Sequence, residues 1–342
     1  MKKTYLLLAA LLLATGLAAQ NPTAYFMEGS TFRSQFNPAF APLRGYINLP
    51  AIGGLNVNLS GNIALDNIFF ARDGKLVTLL DSSVTPDQAL RNLKTNNLMG
   101  LDTRINLLGF GKFTKNHKNF WSFDINIRAN ESMNLPKSLF EFLKRGDEGS
   151  INNFGAATEA YLEAGFNYSF PLLNDRLYIG VRGKFLAGIA RAQVNYDQFD
   201  VSLRQDRWAV VTKGTIDMTV DGASVEPDPE TGIFEFGDID YKPRKPAGYG
   251  FAVDLGATYD ILPNLQASLA VNDLGFINWD KNSTVSGVST QEAEFTGVAV
   301  SGSGTETAPD FDFEMMKFTQ TESKNTSKML RAAVNAGLEY EV

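Results

Sequence analysis

The chain has 342 residues with no cysteine, one histidine, 30 glycines and 25 phenylalanines, and carries a formal net charge of −7 at pH 7. The missing cysteines exclude disulfides, thiolate metal sites and thiol nucleophiles, and so acidic a chain has no nucleic-acid footprint. Hydrophobic residues make up 44% of it, yet no internal apolar run reaches the roughly 18 residues of a membrane helix.

The first 19 residues read as a cleaved signal peptide. Lys2 and Lys3 precede the short apolar run Leu6 to Leu13, and small residues Ala14, Gly16, Ala18 and Ala19 follow. Residues 20–50 form an N-terminal segment in which Pro22, Pro38, Pro42 and Pro50 forbid a continuous helix or central strand.

Residues 51–342 then alternate with period two. Leu55, Val57 and Leu59 alternate with Asn56, Asn58 and Ser60. Ile105, Leu107 and Phe113 form the apolar face of a second run against Arg104, Asn106 and Lys112, although Leu108 and Phe110 break its polar side. Trp121 to Asn130 and Tyr161 to Phe170 alternate without a break. Leu177 to Ile189 follows with Arg182 and Lys184 on the polar side. Tyr249 to Asp260 and Leu265 to Asn272 form a hairpin around the turn 261–264. Leu330 to Tyr340 is the last run, with Leu330 on its apolar face. Side chains on a strand point alternately to opposite faces, so each run has one greasy and one polar side. Runs of about ten residues suit a tilted strand that crosses a bilayer.

Short connections at 113–119, 171–175 and 261–264 alternate with long ones at 66–100, 131–157, 190–247 and 275–328. Short turns on one side and long loops on the other are the pattern of outer-membrane barrels. Thr85-Pro86-Asp87 reads as a helix N-cap followed by proline at the first helical position, and Ser138 to Lys144 as a short amphipathic helix. The runs 194–203 and 208–220 read either as strands rising beyond the membrane or as one additional spanning pair. Aromatic residues near strand ends, among them Tyr168, Tyr249, Tyr259 and Tyr340, suit interfacial girdles. The expected fold is therefore an all-β antiparallel transmembrane barrel in the cell outer membrane, in contact with lipid and lipopolysaccharide. A secreted β-sandwich is the alternative.

By parity, Arg104, Asp124, Arg128, Glu163, Arg182, Lys184 and Asp254 face the lumen. Both signs occur, which predicts paired networks across the interior. Their functional reading is a conducting lumen with selectivity set by charged rings; the bland one is a polar interior that never conducts. His117 lies in the turn KNHKN, a solvated position. The acidic stretch 221–240 has oxygen ligands of the kind that suit calcium, but Pro227 and Pro229 interrupt it and its spacing fits no calcium loop. No phosphate-binding or dinucleotide fingerprint occurs, so no enzyme, metal or cofactor is expected.

Three stretches carry a resemblance. Asn37-Pro38-Ala39-Phe40 is followed by Asn48-Leu49-Pro50; LYIGVRGKFLAGI spans 177–189; GFAVDLG at 250–256 is followed by VNDLGFINW at 271–279. Together these resemble a Bacteroidota outer-membrane barrel family of unknown function, distantly similar to FadL-like fatty-acid transporters and PorV-like type IX secretion barrels. The resemblance implies an N-terminal hatch inside the barrel, with Asn37, Pro38 and Ala39 as its motif. It implies one of two functions: passage of a small hydrophobic solute across the outer membrane, or a non-conducting barrel that binds a secretion or surface protein. FadL-like barrels have more strands than the roughly eight or ten counted here and end on an aromatic residue. Since the sequence stops at Glu341-Val342, its last strands are expected to be missing, unless the barrel is simply small.

Overall fold

The structure, a computed structural model, describes residues 25–27, 29–50, 54–63, 67–146, 148–203, 208–295 and 317–340. The signal-peptide reading lies outside these residues. A one-turn helix α1 (Arg33–Phe36) precedes strands β1 (Tyr46–Asn48) and β2 (Leu55–Gly61). A small hairpin, β3 (Phe69–Arg72) and β4 (Lys75–Thr78), and helix α2 (Pro86–Leu90) lead to the long strands β5 (Asn96–Phe113) and β6 (Phe120–Pro136). Helix α3 (Lys137–Arg145), β7 (Glu148–Ser150), β8 (Phe154–Leu172) and β9 (Leu177–Leu203) follow. The remainder is β10 (Trp208–Val220), β11 (Ile233–Glu235), β12 (Gly248–Leu262), β13 (Leu265–Trp279), β14 (Thr284–Phe295), β15 (Lys317–Thr321), β16 (Thr326–Met329) and β17 (Ala333–Tyr340).

All but β3 and β4 belong to one antiparallel sheet of 15 strands. Its lower part runs β2–β5–β6–β8–β9–β12–β13–β17, with β1 extending the β2 edge and β16 the β17 edge. Short turns join β5 to β6, β8 to β9 and β12 to β13, and they lie at one end. There Lys118 Nζ donates to Asp175 Oδ2 at 2.5 Å, and this hydrogen bond and charge hold the Lys118 ammonium above its usual range. Among the described residues no ladder joins β2 to β17, so the described part of the sheet does not close.

The long connections hold far more strand than the alternation suggests. β5 begins at Asn96, β6 reaches Pro136, and β8 begins at Phe154. Residues 194–203 are not a separate strand: β9 runs 27 residues unbroken. Its first half pairs with β12 through Gly188, and its second half pairs with β10 from Ala190 on. The sheet therefore forks, and β10, β14, β15 and β11 build an upper storey above the β12–β13 hairpin. Tyr196, Ile216, Phe234, Ile239, Val285 and Phe318 fill its core. The stretch 221–240 folds over this core, and the Asp221 carboxylate accepts the backbone N–H groups of Arg244 and Lys245.

Register slips occur in the β5–β6, β8–β9 and β9–β10 ladders and twice in the β12–β13 ladder, and two of them change the faces read from the alternation. In β5 the register slips between Asn106 and Leu108, so Leu108 and Phe110 join Ile105 on the outer side. Beyond it Lys112 is exposed while Phe113 packs against the fully buried Phe120, the reverse of the faces that unbroken parity assigns to these two. In β13 the second bulge lies opposite Asp254. Leu330 also departs from its expected place. The chain breaks between β16 and β17, and Leu330 turns into an interior cluster with Tyr161, Leu186, Ile277 and Trp279.

Helix α2 follows its sequence signals. Thr85 Oγ1 accepts from the Gln88 N–H, the Gln88 side chain accepts from the Thr85 N–H, and Pro86 occupies the first turn. α2 and α3 pack through Leu90, Leu93 and Phe140. Thr85→Ala is expected to weaken this cap by about 1 kcal/mol, seen as faster amide exchange in residues 86–90 with the long strands unchanged.

Candidate functional site

The inward positions of β9 read upward as Gly180, Arg182, Lys184, Leu186 and Gly188, and all five are buried. Each rung carries a different layer of the interior.

The lowest layer is the N-terminal segment. Asn37 is fully buried, and its Nδ2 donates to the Ala257 and Leu269 carbonyls at 3.3 and 3.4 Å. Its Oδ1 accepts from the Ala39 N–H at 3.0 Å, which fixes a tight turn around Pro38. Asn167 Nδ2 donates to the Pro38 carbonyl and Ser169 Oγ to the Ala39 carbonyl. Asn272 and Asn335 both donate to the Phe36 carbonyl, at 2.8 and 2.9 Å. The segment has little secondary structure of its own, so sheet amides take up its backbone carbonyls. Its seat is a pair of glycines, Gly180 and Gly256, directly opposite each other on β9 and β12. A Cβ on either would overlap Asn37 or Pro38.

The middle layer is ionic. Arg182 reaches Asp124, Glu163 Oε1 at 3.2 Å and Asp254 Oδ2 at 3.8 Å. Lys184 Nζ lies 2.7 Å from Asp254 Oδ2, 2.6 Å from Asp273 Oδ1 and 3.8 Å from Glu163 Oε2. Arg128 bridges Glu163 at 3.1 Å and Asp273 at 3.4 Å. Asn126 ties Asp124 to Glu163 through its amide. Arg182, Glu163 and Asp254 have 0% exposure. Charges so placed persist only when paired and hydrogen-bonded. Gly165 leaves the space that the Arg182 guanidinium occupies.

Above this, Tyr161, Leu186, Ala252, Ile277 and Trp279 form an apolar layer, with the Trp279 ring over Gly188.

Six of the seven charged residues marked by parity therefore meet in one cluster. Arg104 does not join it: its Nη1 donates to Gln35 Oε1 at 2.8 Å, beside the N-terminal segment. Parity missed Asp273, which it places on the apolar side. The β13 bulge turns Asp273 inward at φ +61°, and its N–H donates to Asp254 Oδ1 at 2.7 Å. The available signal was Asn272-Asp273, two polar residues in succession of types that tolerate the left-handed region. His117 sits exposed in its turn at φ +55°.

The outer face is the inverse of this interior. Leu55, Val57, Leu59, Phe123, Phe166, Val181, Phe185, Phe251, Val253, Leu255, Val334 and Leu338 are exposed there, Leu55 and Leu338 by more than 60%. No helix among the described residues is long and apolar enough to cross a membrane.

A family model described as "Family of unknown function (DUF5723)" matches residues 38–342. No curated protein and no solved structure matches the chain.

Proposed function

Because the chain belongs to this family of unknown function, membership brings no activity with it, and we propose from the geometry that it is an outer-membrane β-barrel protein with a filled interior and a partner-binding upper storey. The inversion carries this reading: fully buried ion pairs inside a sheet whose outer face is lined with exposed leucine, valine and phenylalanine. Water-soluble monomers rarely expose contiguous apolar patches beyond a few hundred Å², and lipid chains cover such a surface without loss. Tyr249 and Tyr259 stand at the two ends of the β12 row, where interfacial aromatics belong. A strand of 27 residues spans about 90 Å at roughly 3.3 Å per residue, far more than a core of about 30 Å requires. The upper storey then stands clear of the membrane, available to a surface or secreted protein.

Three stacked layers argue against a path along the axis: the seated N-terminal segment, the ionic cluster and the Trp279 layer. Solute passage, the second reading, is favoured by one observation: a cleft of about 410 Å³ opens between the edge strands β2 and β17. Refolding in detergent separates these readings. We expect a compact β-rich species that needs detergent, migrates faster unboiled than boiled, and gives no conductance steps in planar bilayers. A monomer soluble without detergent sinks the membrane reading; regular conductance steps sink the filled interior and restore passage.

A further inference from the structure

In the wall between β2 and β17, Arg104 lacks a carboxylate partner among the described residues. Arg104 gives Nη1 to Gln35, while its Nε is buried without a partner. The other arginines of the cleft are engaged. Arg331 lies 3.3 Å from Asp102 Oδ1 and donates to the Glu131 carbonyl, and Arg128 holds Glu163 and Asp273. The same pairs occupy Asp102 and Asp273, the two carboxylates of the wall. Two further buried atoms of the lining have no partner among the described residues: the donor Asn58 Nδ2 and the acceptor Asn272 Oδ1.

We infer that this cleft binds a small hydroxylated oxyanion, a phosphate or carboxylate group that docks on the Arg104 guanidinium in its lining. A guanidinium edge presents two N–H groups in one plane and matches two oxygens of such a group. Asn58 Nδ2 supplies a further donor, and Asn272 Oδ1 accepts from a hydroxyl on the ligand. A volume of about 410 Å³ lies within the range of small-molecule sites. The ionic cluster holds three cations, Arg128, Arg182 and Lys184, against four carboxylates, Asp124, Glu163, Asp254 and Asp273. The excess carboxylate opposes an incoming anion, so the expected affinity is modest, roughly 0.1–1 mM. Exposed Leu55, Val57 and Leu59 on one edge, and Val334 and Leu338 on the other, flank the cleft. The same chemistry can therefore arrive as a free solute or as the head of a lipid.

Titration calorimetry on the refolded protein distinguishes the sources, with glycerol 3-phosphate as the free anion, dihexanoylphosphatidylglycerol as the headgroup and glycerol as the neutral control. Binding of either phosphate compound, without glycerol, is expected. Arg104→Met should weaken it at least tenfold. Arg104→Lys should weaken it severalfold, because lysine keeps the charge and loses the planar edge. If Arg104→Met does not fold, Arg104→Lys and the glycerol control decide. Absence of binding by both phosphate compounds, equal binding of glycerol, or unchanged affinity in the folded variants overturns the inference. It rests on the cleft and not on the membrane reading: binding by a protein that needs no detergent would retain the site and remove the bilayer.

Discussion

Arg182→Met is expected to destabilise the protein by about 3–5 kcal/mol, the range for removing one partner of a buried ion pair. Arg182 is fully buried and is the group that Asp124, Glu163 and Asp254 share. Methionine fills most of its volume but leaves the four carboxylates of the cluster to Lys184 and Arg128 alone. Water compensates them poorly, because Asp124, Glu163 and Asp254 are buried and the cleft between β2 and β17 reaches only Arg128 and Asp273 of the cluster. The urea midpoint of the refolded protein, read by tryptophan fluorescence and by the unboiled band on a gel, measures the loss. Adding Asp124→Asn to Arg182→Met should recover part of it, since one uncompensated charge is then gone. A loss under about 1 kcal/mol would mean that the cluster is hydrated and that the interior is open.

Gly256→Val should expel the N-terminal segment while leaving the sheet intact. The new side chain would occupy the space of Asn37 and Pro38. The Asn37 amide would then lose its bonds to the Ala257 and Leu269 carbonyls, which hold the segment to β12 and β13. Arg33, buried at 6% and stacked on Phe40 at 4.2 Å, would become accessible. Trypsin should then cut after Arg33 at least tenfold faster, with far-ultraviolet circular dichroism unchanged. Gly183→Val is the matched control, because nothing lies within 4 Å of a Cβ built there. Equal protease resistance in the two variants would show that the segment is not held by the glycine seat.

Much of the interior was legible from parity. Asp124, Arg128, Glu163, Arg182, Lys184 and Asp254 lie on strands whose alternation runs unbroken around them, so the inward side is a local property that the sequence states outright. The Thr85-Pro86 cap was legible for the same reason: its partners are three residues apart. Asp273 and Lys112 were not, since each lies at or beyond a bulge. One extra residue reverses the face of everything after it, and the bulge forms only when a neighbouring strand is paired.

Reading the alternation alone yields the all-β class, the greasy and polar faces of the long strands, and the charges that must find partners. That β9 continues for 27 residues and forks the sheet, that Gly180 and Gly256 meet to seat Asn37 and Pro38, and that Arg104 stands apart from the ionic cluster emerge from the folded arrangement alone. The first set depends on period-two geometry and side-chain chemistry, which each segment carries alone. The second depends on which strands lie side by side and in what register, and that is set by contacts between residues far apart in the chain.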